Sequence, residues 1–133
     1  MTLGAVKVSI EKNMEQSYKM PEDSVLSEKV FEAILYVATQ CEPQVLLRKK
    51  YIDDDAEYRR LRNDFFIAMP EYPDFSISDR HLQIDEALCY AVVNYTCFML
   101  SGIALFDTVA TRWITLFRKN DLNAYAGEEV HED

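Results

Sequence analysis

Ala87–Phe106, ALCYAVVNYTCFMLSGIALF, runs twenty residues without a charged side chain. As a helix it would be about 30 Å long, the thickness of a bilayer core. Asn94, Thr96 and Ser101 interrupt it, however, and Tyr90 and Tyr95 sit in mid-span instead of at the ends, where interfacial aromatics belong. The preferred reading is therefore a central helix covered on nearly all sides, with no membrane partner. Gly102 breaks the run, and the apolar pattern continues to Phe117 before Arg118-Lys119 supplies a helix end. Two helices follow, roughly 79–101 and 103–119, with Ser78-Asp79 as the entry.

Outward from this hairpin, the next helix is Pro21 to about Gln40. Leu26, Val30, Ile34, Val37 and Cys41 recur at three- and four-residue steps, and Pro43 ends the run. Gln44–Ile52 reads as a short helix or an extended link. After Asp53-Asp54-Asp55, the spacing of Tyr58, Leu61, Phe65 and Ala68/Met69 predicts a further helix, with acids at its entrance and arginines behind them. Residues 5–10 alternate, placing Val6, Val8 and Ile10 on one side. That reads as a short N-terminal strand, with a loose arm over 1–20 or a helix start as alternatives. Three Gly and four Pro are too few for an all-β chain. The expected fold is all-α: a single domain over 1–133, a compact bundle of four to five helices around the apolar hairpin, with an acidic, flexible tail at 120–133.

The formal charge is −9. Residues 1–50 are neutral, 51–86 net −6, 87–119 net +2 and 120–133 net −5. This balance argues against direct contact with nucleic acid, whose binding surfaces are basic. Three cysteines (Cys41, Cys89, Cys97) lack zinc or redox spacing and lie among apolar neighbours, which favours a reducing cytoplasm.

Catalytic motifs find no support. Glycines stand only at 4, 102 and 127, which excludes a phosphate-cradling loop. His81 with Asp85 one turn on, and Asp79 and Glu86 nearby, would make half a metal site; a small metal-dependent enzyme is kept as an alternative, but no cofactor or metal is assigned. The expected function is a non-enzymatic, immunity- or inhibitor-like module that neutralises or regulates a basic protein partner. Asp53, Asp54, Asp55 and Glu57 are its expected contacts, and Tyr72 and Phe75, in a proline-bracketed loop, its expected anchors; Tyr51 is a further candidate for exposure. A homodimer is expected through Ala87, Tyr90, Ala91, Asn94 and Ser101, which line the uncharged helix. A structural subunit packing the same hairpin on another chain is the remaining alternative.

Overall fold

The computed structural model describes residues 1–14 and 18–132, with side chains described as far as Asn120. The chain runs α1 (Leu3–Asn13), α2 (Asp23–Gln40), a 3-10 turn (Gln44–Leu46), β1 (Leu47–Lys49), β2 (Glu57–Arg60), β3 (Phe65–Ala68), α3 (Glu86–Ser101) and α4 (Ala104–Glu132). Helices make up 56% of the chain, and a three-stranded antiparallel sheet takes 11 residues. The all-α expectation is therefore corrected: the protein is helix-dominated but mixed α/β.

The overturned segment is 47–68, where the sheet has the order β1-β3-β2. The helical spacing of Tyr58, Leu61, Phe65 and Ala68 is coincidental. Asn63 and Asp64 both take positive φ, 58° and 63°, and turn the chain tightly between β2 and β3. Short polar side chains tolerate this left-handed region, and Phe65-Phe66-Ile67 then favours a pleated strand. Ile67 pairs with Leu47 on one side and with Arg59 on the other. It is fully buried with Ala38 of α2 and Leu46, so the sheet closes over the C-terminal half of α2.

Arg59 fixes that junction. Its guanidinium donates to the carbonyls of Ala38 (2.9 and 3.1 Å) and Cys41 (2.8 Å), satisfying acceptors that the end of α2 leaves open. α2 carries no basic residue in its own last turn, so this charge complements its dipole from outside. Tyr58 adds a bond from its hydroxyl to the Leu35 carbonyl at 3.2 Å.

The N-terminal strand and the loose arm are also corrected, as far as residues 3–13 are concerned. Leu3, Val6, Ile10 and Met14 follow a helical period and are buried, whereas Val8 is 48% exposed. Thr2 caps α1, its hydroxyl oxygen accepting from the Ala5 N–H at 3.1 Å. Two further N–H groups of the first turn, on Leu3 and Gly4, donate to the carbonyls of Arg80 and Ser78 at 2.7 and 2.9 Å. Gly4 permits this approach, since a Cβ there would stand 3.2 Å from the Ser78 oxygen.

α3 starts at Glu86, later than the expected entry at Ser78-Asp79, because 77–84 is held against α1. Cover explains the α3 part of the uncharged stretch: α1, α2 and α4 all pack on α3, and Leu88, Cys89, Ala91, Val92 and Cys97 are fully buried, whereas Ile103 and Leu105 beyond it are exposed. Among the described residues no helix is long and apolar enough to cross a membrane. Gly102, at φ 72°, ends α3 in the left-handed conformation. The acidic tail expected at 120–133 falls largely outside the described side chains.

Candidate functional site

The β1–β2 connection holds the expected acidic contacts, and most of them are internally engaged. Asp55 pairs with Arg48 at 2.6 Å, and Glu57 with Arg60 at 2.8 Å. One oxygen of Asp53 accepts from the Lys49 N–H at 2.8 Å. Asp54 is exposed and makes no such contact among the described residues. Folding has brought Arg48 and Lys49 of β1, and Lys50 just after it, beside these acids. Over residues 47–65 six bases face five acids, so the sheet is nearly neutral although the segment 51–86 is acidic by count.

What this connection presents is apolar. Tyr51 is 83% and Ile52 70% exposed, the highest values among the exposed large hydrophobic residues. Tyr51 has φ 71°, a conformation that disfavours a residue with a Cβ. The turn is nevertheless held firmly. The Lys50 N–H donates to the Asp64 carbonyl at 2.7 Å, and the Ile52 and Asp53 N–H groups donate to the Lys49 carbonyl at 3.3 and 3.1 Å. The Lys50 ammonium lies 5.0 Å from the centre of the Tyr51 ring. A strained backbone held by its neighbours so as to display an aromatic side chain is the arrangement expected of a contact site. The sequence carries a signal for it: two large apolar residues isolated between three bases at 48–50 and three acids at 53–55.

The expected anchors divide. Tyr72 is half exposed and rests on the ring of Phe31, with centroids 5.2 Å apart. Phe75 is a core residue, 5% exposed, and its N–H donates to the Ser27 hydroxyl at 3.2 Å; it is no anchor.

The expected self-association stripe is altered too. Ala87 and Tyr90 are exposed and Asn94 and Ser101 half-buried, but Ala91 lies wholly inside the core. The Asn94 amide donates to the Tyr90 carbonyl at 2.8 Å and the Ser101 hydroxyl to the Cys97 carbonyl at 2.7 Å. Both polar groups thus bond within α3. Tyr90 stacks on Trp113 of α4, with centroids 4.9 Å apart.

The structure does not gather His81 with the carboxylates expected beside it. It is exposed and bridges Thr2 through the backbone, and Asp85 accepts from the Gln44 and Val45 N–H groups, each at 2.8 Å. Glu86 instead pairs with the N-terminal ammonium. No cluster of three metal-binding side chains occurs among the described residues. Burial pushes the Cys89 and Cys97 thiols up to about 11, away from the thiolate a nucleophile needs. An open cleft of about 240 Å³ lies between Val45, Leu46, Ala68, Met69, Glu71 and Gln83, with the paired Arg48 and Asp55 also in its lining.

A helix-dominated α/β domain with a rigidly displayed aromatic turn is the class that this geometry defines. Comparison with family models, with curated proteins and with solved structures gives no match.

Proposed function

We propose that the chain is a non-enzymatic, cytoplasmic module that binds a basic protein partner and neutralises or regulates it. The observation that carries this reading is the Tyr51–Ile52 turn, its side chains 83% and 70% exposed, with Tyr51 held in a left-handed backbone conformation. Tyrosine beside an aliphatic residue offers large contact area at small entropic cost. Asp54 flanks the turn with an unengaged carboxylate, and the overall charge of −9 draws in a basic partner over a longer range. The raised thiol pKa values and the internally paired Arg48 and Asp55 of the cleft support a binding role over a catalytic one. Three buried free cysteines fit a reducing compartment.

The test is quantitative co-purification with the wild type, Tyr51→Ala/Ile52→Ala and Asp54→Asn. One basic protein held by the wild type, lost with the double variant and weakened by Asp54→Asn and by salt, is the expected result. An unchanged set of captured proteins in the double variant would overturn the reading.

A further inference from the structure

The cleft beside the aromatic turn has a lining of two kinds. Val45 and Met69, 40% and 44% exposed, give it an aliphatic wall where the 3-10 turn meets the end of β3. Asp55, Glu71 and Gln83 give it oxygens. Asp55 and Glu71 each spend one carboxylate oxygen, on Arg48 at 2.6 Å and on Arg80 at 3.3 Å. Their second oxygens and the Gln83 amide oxygen accept no hydrogen bond among the described residues. Arg48, the cation of the lining, is committed: besides Asp55 it serves the Val45 and Leu47 carbonyls, donating at 2.8 and 3.0 Å.

We propose that this cleft receives a lysine side chain of the basic partner, a step that rests on the reading of the chain as a binding module.

The chemistry of the lining selects that occupant. An anion would meet two carboxylates and an arginine already spent. A wholly apolar side chain would cover three oxygens and pair none of them. Lysine suits both kinds of wall: its methylene stem lies along Val45 and Met69, and its ammonium carries three donors for three open acceptors. Arginine suits them less well. Its planar group favours an aromatic face or a carboxylate with both oxygens free; no ring lines the cleft, and each carboxylate has one oxygen taken. The Glu71–Arg80 pair does not close the site to a cation, since both partners are more than half exposed and such pairs are weak. Size points the same way. About 240 Å³ falls below the roughly 300–1,000 Å³ of pockets that enclose a small molecule, and suits one side chain. Asp55 also stands in the β1–β2 connection that displays Tyr51 and Ile52, so turn and cleft are carried on one segment.

The test on the full chain is a titration with Nα-acetyl-lysine amide, followed through the methyl resonances of Met69 and Val45. Saturable shifts are expected, with a Kd on the order of 1–10 mM. Binding should be at least about fivefold weaker for the norleucine derivative, which keeps the stem and lacks the ammonium. Glu71→Gln should weaken lysine binding and co-purification of the partner by a similar factor, with an unchanged circular dichroism spectrum. Tyr51→Ala/Ile52→Ala should leave the titration as it is, so the cleft and the turn are judged separately. Absent shifts, or equal binding of the norleucine derivative, would overturn the cleft as a lysine site even where capture depends on Tyr51 and Ile52. Equal binding of the arginine derivative would overturn the choice of lysine. Lysine shifts together with capture indifferent to Glu71→Gln would overturn the partner's part in it. Capture that ignores Tyr51 and Ile52 but falls with Glu71→Gln would sink the turn and leave the cleft standing.

Discussion

Replacing Tyr51 by glycine and by alanine separates what the turn costs from what it displays. Both variants remove the ring, and with it a Lys50 cation–π contact worth about 0.5 kcal/mol at so exposed a site. Only glycine removes the Cβ that makes φ 71° unfavourable. A left-handed residue with a Cβ costs roughly 1–2 kcal/mol relative to glycine, partly offset by glycine's greater freedom when unfolded. The net expectation is Tyr51→Gly more stable than Tyr51→Ala by about 1 kcal/mol, or roughly 3–5 °C in Tm for a domain of this size. The sign is the diagnostic, because at an ordinary position alanine is the more stable of the two. Urea unfolding of both variants at one pH, compared at equal m-values, measures the difference. If Tyr51→Ala proves equal or superior, the backbone is not strained, and the argument that the turn is held for display collapses. If the sign holds while Tyr51→Gly loses the partner, the wild type keeps a less stable residue here for contact.

The remaining expectations concern the scaffold. Arg59→Met removes three hydrogen bonds to the end of α2 and should cost about 2 kcal/mol, whereas Arg60→Met, losing only the exposed pair with Glu57, should stay within about 0.5 kcal/mol. Equal losses in urea midpoints would contradict the cap. The Cys89 and Cys97 thiols ionise near 11 when folded, against a reference of 9.0. The unfolded chain therefore releases these protons first as pH rises. Stability from this source is intact below about pH 9 and falls between there and about pH 11, by roughly 2 kcal/mol per thiol. The alkaline decline in urea midpoint should be shallower in Cys89→Ala/Cys97→Ala; an identical slope would show that the thiols ionise freely in the fold.

Helices with long apolar periods are legible in the sequence alone. Leu26, Val30, Ile34 and Val37 give α2 its buried line, and Pro43 and Gly102 mark where helices cannot continue. Shorter patterns mislead. The alternation of Val6, Val8 and Ile10 spans only a few residues, and Leu3 and Met14, outside that window, reveal the helical period. Tyr58, Leu61, Phe65 and Ala68 satisfy a helix equally well, and only the left-handed Asn63-Asp64 pair decides for a hairpin. A proline-bracketed loop normally lies at the surface, so Phe75 reads as an exposed residue. In the fold it joins the main core, and its N–H is bonded to Ser27, forty-eight positions away, a contact that no local pattern contains. The display of Tyr51 lies within reach, since charge runs on both sides leave that pair nowhere to be buried.

Charge is the least local property of all. Counting along the chain assigns residues 51–86 a deficit of six, yet over the sheet and its turns, 47–65, Arg48 and Lys49 of β1 with Lys50 help to set six bases against five acids. Beyond Asp54, electrostatics therefore supplies little of the close contact at the turn, although the −9 of the whole chain still acts at a distance. The two influences should fall on different rate constants. Salt screens the long-range field and slows association, while truncating Tyr51 and Ile52 removes desolvated contact and speeds dissociation. A basic partner is then one that arrives by charge and stays by apolar contact.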